Sequence, residues 1–255
     1  VKNIAFFLVS LVVIIMAIAL VWKQWKGEAW EIISPLGSSI KMEKEKPLEK
    51  YSFENLKERG GRGSEIKLEE IIKESEQFTA YLFSYHSEDR RITGLAHLSQ
   101  GKDKFPVVVM IRGYVDQEDY QTGVGAERAA EFFARHGFLT LAPDFLGYGD
   151  SDMPPNDVWE ERFLKPVSVL DLMASIKTLP QADAEKVYLW GHSNGGMVAL
   201  SVLEISGDDY PTTLWAPVSQ FFPYDILYYT EEFTDKGKAL RQSLAEFEKD
   251  YDVNQ

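Results

Sequence analysis

One segment, Gly191-His192-Ser193-Asn194-Gly195-Gly196, restricts what this chain can fold into more than any other. It joins a short apolar run, VYLW over 187–190, to a helical pattern, GGMVALSVLEIS over 195–206. A strand that enters a helix through so few residues must turn sharply. Side chains two positions before and two after Ser193 would collide with the strand and the helix, and Gly191 and Gly195 remove them. Ser193 is then held in a strained backbone conformation. Its hydroxyl projects above a sheet, at the positive end of the following helix. The G-x-S-x-G pattern alone is common, and an ordinary glycine-rich turn is the alternative reading. The strand before it and the helix after it favour a nucleophile elbow.

The rest of the chain from Gln77 onward supports that setting. QFTAYLFSYHS and RRITGLAHLS alternate around the Ser87–Arg90 turn and predict a hairpin. PVVVMI (106–111) suits a strand buried on both faces. GAERAAEFFARHG (125–137) predicts an amphipathic helix ending at Gly137. FLTLAP (138–143) is the next strand, 158–179 a helix interrupted near Pro166, and TTLWAP (212–217) a further strand beside VYLW. Strand and helix in alternation predict an α/β fold, a mostly parallel sheet with helices on both faces.

With these motifs in place, residues 77–255 resemble α/β-hydrolases of the prolyl-oligopeptidase-like group. The second glycine in Ser193-Asn194-Gly195-Gly196 matches that group's serine motif. APDFLGYGDS (142–151) resembles its loop after the fourth strand, and Ile111-Arg112-Gly113-Tyr114 its turn after the third. Where many relatives have His-Gly in that turn, this chain has Arg112-Gly113. The resemblance implies a serine hydrolase acting on acyl bonds, with Ser193 as nucleophile. Its oxyanion hole would be made by the backbone N–H groups of Asn194 and Tyr114. It implies a small peptide as substrate, a small ester being the alternative, and needs neither cofactor nor metal. The third reading, from another class, is an inactive scaffold used as a binding module. Residues 23–76 are too few for the β-propeller of prolyl oligopeptidases, so proline specificity is not inherited with the resemblance. Asp144 is expected to be structural, accepting backbone hydrogen bonds. Arg112 is expected to meet either a loop carboxylate or substrate, and His192 to pack away from the serine hydroxyl.

The family delivers its triad in the order Ser, then Asp or Glu, then His. No histidine follows Ser193; the others are His86, His97 and His136, on the first hairpin and first helix. Asp225 is a candidate acid, but an acid without its histidine activates nothing. No triad Asp–His pair is therefore assigned. The sheet also lacks the strands that would carry that pair, so the chain reads as incomplete at its C-terminus and inactive by itself.

Three regions result: an anchor over 1–26, a charged stalk over 27–76, and the hydrolase domain over 77–255. Residues 4–22 (IAFFLVSLVVIIMAIALVW) form an apolar run with Ser10 as the one clearly polar member. As a helix it would reach roughly 28 Å, close to the ~30 Å core of a bilayer. Lys23, Trp25, Lys26 and Trp30 follow as an interfacial belt would. A single-pass transmembrane helix with the catalytic domain outside the cytoplasm is the expectation. A cleaved signal peptide and a core helix are the alternatives. Between 38 and 76 the charges are mixed, and 64–74 is expected to form a short helix through Ile66, Leu68, Ile71 and Ile72. Lys plus Arg number 27 against 40 Asp plus Glu, a net charge of −13, which argues against a nucleic-acid partner. There is no cysteine, which excludes disulfides and thiolate chemistry. Oligomeric state is not legible.

Overall fold

A computed structural model describes residues 31–33, 39–41, 45–220, 222–230 and 234–253. The chain divides into two compact units, Val1–Pro47 and Leu48–Gln255. In the first, β1 (Glu31–Ile33) pairs antiparallel with β2 (Ser39–Lys41), with Ile32 opposite Ile40. The expected membrane span over 4–22 lies outside the described residues. Among the described residues no helix is long and apolar enough to cross a membrane.

The second unit is built on a seven-stranded sheet in the order β3-β4-β5-β7-β6-β8-β9. The strands are β3 (Lys67–Glu74), β4 (Phe78–Ser87), β5 (Arg90–Ser99), β6 (Phe105–Ile111), β7 (Leu139–Pro143), β8 (Ala182–His192) and β9 (Thr212–Trp215). From β7 through β9 all neighbours are parallel. β3, β4 and β5 run antiparallel to one another, and β5 runs antiparallel to β7. The β4–β5 hairpin keeps an unbroken register from Phe78↔Ser99 to Ser87↔Arg90. Its two turn residues, Glu88 and Asp89, both have positive φ (48° and 60°), matching the twist that a two-residue hairpin demands.

Alternate residues of β6 feed the two faces. Val107, Val109 and Ile111 enter the larger core with Leu170 and Val198, whereas Val108 and Met110 join Ala126, Ala130 and Trp190 on the other side. That is why β6 reads as a continuous apolar run. The helices are α1 (Phe53–Arg59), α2 (Glu127–Arg135), α3 (Val158–Ser175), α4 (Asn194–Ser206), α5 (Tyr224–Tyr229) and α6 (Lys238–Phe247).

Three expectations are corrected. Residues 64–74 give no helix: β3 is an exposed edge strand, and register shifts between Leu68 and Ile71 and between Ile71 and Lys73 disrupt its alternation. Those bulges place Leu68, Ile71 and Ile72 at a helix-like spacing in the sequence. The stalk does not extend to 76, because from Leu48 onward the chain folds with the sheet. Leu56 and Ile66 are buried in the main core, and Arg59 meets the buried Asp171. Finally, α3 runs through Pro166 without a break. Leu164 on one side and Val167, Val169 and Leu170 on the other are buried, so packing holds both halves in line despite the missing N–H.

Candidate active site

Ser193 sits between β8 and α4 with φ 52° and ψ −119°, a conformation that side-chain-bearing residues seldom adopt. The surrounding sterics show why glycine flanks it. A methyl group at Gly191 would lie 2.8 Å from the Gly195 carbonyl oxygen and 2.9 Å from the Gly196 Cα. One at Gly195 would lie 2.0 Å from the Ile111 carbonyl oxygen and 2.4 Å from that of Arg112. One at Gly196 would strike Pro217, its Cβ 2.5 Å away. Gly191 thus frees the strand–helix corner, and Gly195 lets the helix start close against the end of β6. The end of β9 and the residues after it clamp the turn: the Ser193 N–H donates to the Trp215 carbonyl (3.1 Å) and the Val218 N–H to the Ser193 carbonyl (2.9 Å).

The turn after β6 lies against the serine, since a methyl group at Gly113 would be 3.1 Å from the Ser193 Cβ and 3.2 Å from His192 Nδ1. The N–H of Asn194, first in α4, has no intrahelical acceptor. Among the described residues neither it nor the Tyr114 N–H is engaged by another acceptor. The Tyr114 side chain is 70% exposed. Its hydroxyl donates to Asp116 Oδ1 (2.7 Å), a bond that pushes its pKa up to about 12.

Arg112 is buried and, among the described residues, meets no carboxylate. Nη1 donates to the Gly113 carbonyl and Nη2 to the Asp144 carbonyl, each at 2.9 Å. Its guanidinium packs against two rings that meet edge to face, 4.4 Å from the centroid of Tyr120 and 4.2 Å from that of Tyr148. Asp144 is fully buried. Its carboxylate accepts from the hydroxyls of Thr93 (2.6 Å), Tyr120 (2.6 Å) and Thr122 (3.0 Å). The donors are thus side-chain hydroxyls, where backbone N–H groups were expected. Burial raises the Asp144 pKa, against the pull of those hydroxyls and of Arg112. Thr93, Tyr120, Thr122 and Tyr148 come from three separate segments, and no spacing in the sequence announces their convergence.

His86, His97 and His136 lie away from the β8–α4 turn. His86 is on β4, four strands from β8, which is about 19 Å at the usual strand spacing. His97 is buried opposite Thr140 at the start of β7, away from the strand ends that carry the elbow, and burial lowers its pKa to about 4. His136 follows α2, with Nδ1 2.7 Å from the Phe132 carbonyl. His192 packs beside Trp190, ring centroids 6.1 Å apart. Asp225 is buried and ion-paired with Arg162. One helical turn beyond Ser193, Met197 lines a cavity of about 490 Å³, together with Phe53, Arg162, Ser201, Phe222 and Phe247.

Strand order, elbow and the two adjoining turns together define the α/β-hydrolase fold, and residues 106–209 match the family model of that description. Uncharacterized proteins of Mycobacterium tuberculosis and Mycobacterium bovis are 33% identical over 95 residues, 37% of this chain and 24% of theirs. The chain thus spans about a quarter of the length of the curated relatives it matches. A hypothetical protein from Pseudomonas aeruginosa shares the fold with a TM-score of 0.52 at 15% identity, over 71% of this chain and 57% of that one. An acetyl xylan esterase from Paenibacillus sp. R4 is similar with a TM-score of 0.47 at 18% identity, over 62% of this chain and 54% of that one.

Proposed function

We propose that the protein is a serine hydrolase of acyl bonds, with Ser193 as nucleophile and the N–H groups of Asn194 and Tyr114 as oxyanion donors. The observation that carries this reading is the strained Ser193 backbone at the β8–α4 turn, with the Gly113 turn packed against its Cβ. Attack on a carbonyl carbon moves the serine proton to a base and leaves a negative oxygen between the two N–H groups. His86, His97 and His136 lie away from the serine, and the reading takes the proton acceptor to be a histidine that, with its carboxylate, is contributed from outside these 255 residues. Ser193-Asn194-Gly195-Gly196 supports a prolyl-oligopeptidase-like peptidase, with a short ester as the other substrate class. The reading also includes a membrane anchor over 4–22, with the hydrolase domain outside the cytoplasm. The test is turnover of a short-chain nitrophenyl ester and of a peptide anilide by the full natural chain carrying these residues. Ser193→Ala should abolish both activities, a loss on the order of 10⁶ in kcat. Undiminished turnover in Ser193→Ala would overturn the reading.

A further inference from the structure

We propose that Arg112 is a positioning residue that aims the Tyr114 N–H at the oxyanion site. The inference rests on the oxyanion role given above to Tyr114. The Gly113 carbonyl and the Tyr114 N–H belong to one peptide unit, which is planar and trans, so the C=O and N–H bonds point in opposite directions. Arg112 Nη1 holds that carbonyl at 2.9 Å. Gripping the oxygen therefore fixes where the N–H points, on the far side of the peptide from the guanidinium. Gly113 itself lies against the Ser193 Cβ.

The guanidinium is in turn held at a second point. Its other arm, Nη2, holds the Asp144 carbonyl at 2.9 Å, and the edge-to-face pair of Tyr120 and Tyr148 rings packs against it, their centroids 4.4 and 4.2 Å away. Tyr148 also donates its hydroxyl to the Val115 carbonyl (3.1 Å), gripping the same turn two residues further on. A planar, two-armed cation is what this geometry uses; an ammonium is a point charge on a flexible stem and sets no plane. Where relatives of the resembled group have histidine before the glycine, this chain uses a side chain that reaches back to its own turn.

The experiment compares an ester with its thionoester, whose sulfur accepts hydrogen bonds more weakly as charge develops on it. Removal of an oxyanion donor costs about 10²–10³ in kcat, and misaiming one should cost less. In the full natural chain, Arg112→Lys should lower kcat for the ester by about 10–100-fold, leave KM within about threefold, and shrink the ester-to-thionoester ratio. A purely structural role would lower both substrates equally and leave the ratio unchanged, which would overturn the proposal. If Arg112→Lys does not fold, Arg112→Gln decides. Its shorter, neutral side chain loses the two-armed grip on the Gly113 and Asp144 carbonyls and should shrink the ratio; an unchanged ratio there is equally fatal. Ser193→Ala separates the two levels: full turnover in that variant sinks the nucleophile reading, whereas its loss beside an unchanged ratio sinks only the role of Arg112.

Discussion

Asp144 and Asp171 are both fully buried, and the molecule satisfies them in opposite ways. Asp171, on α3, receives a two-armed guanidinium from Arg59 (2.9 and 2.8 Å), with the Ser87 hydroxyl and the Arg62 N–H each at 2.6 Å. Asp144, in the loop after β7, receives three neutral hydroxyls on its carboxylate, while the nearby Arg112 reaches past it to its backbone carbonyl. The first arrangement neutralises a charge and ties residues 48–76 to the sheet. In the second, the cation is left free to orient backbone beside Ser193. Stability is concentrated at one aspartate and site geometry at the other.

The largest effect should come from breaking the charged staple. Asp171→Ala leaves Arg59 largely buried, with Glu88 still paired to it at 2.6 Å. A broken buried pair costs about 3–5 kcal/mol, a large part of a domain's margin of about 5–15 kcal/mol. Denaturant melts should show that loss, while the folded fraction keeps its specific activity. A loss under about 1 kcal/mol would mean that the staple is cosmetic.

A smaller effect is expected at Asp144. Asp144→Asn removes a buried charge and forces one of the three hydroxyls to reverse, and should cost less than about 1 kcal/mol at pH 7. Because burial raises the pKa of the folded-state carboxyl, the folded protein binds its proton more readily than the unfolded chain does. Stability from this group is fully present below the ordinary value of 3.8 and lost as pH rises through the raised one. The melting midpoint of the wild type should therefore gain on that of Asp144→Asn as pH falls from 7 toward 3.8. A wild-type advantage that grows with rising pH would show that Asp144 is held as an ion, and the contrast with Asp171 would disappear. Turnover should fall about tenfold in Asp144→Asn, since small displacements at a reacting centre are expensive.

What could be read in advance follows the same division. Gly191 and Gly195 were legible because their reason is local: a strand and a helix meeting within a few residues leave no room for Cβ atoms. The β6 and β7 strands were legible because burial on both faces writes an unbroken apolar run. Arg59 and Asp171 were not, because they are 112 positions apart and a charged run around Arg59 looks the same whether solvated or stapled. The hydroxyl ring around Asp144 was hidden for the same reason, since Thr93 is 51 positions away and Tyr120 is 24. The edge strand β3 was misread as a helix because its bulges break the alternation that marks a strand.

The most direct test of Ser193 as the nucleophile is its reaction with a fluorophosphonate in the full natural chain, followed by a crystal structure of the adduct. The phosphorus should be bonded to Ser193 Oγ, with the phosphoryl oxygen about 3 Å from both the Asn194 and the Tyr114 N–H groups. Labelling at a different serine, or a Ser193 adduct whose phosphoryl oxygen faces neither N–H, would contradict the account.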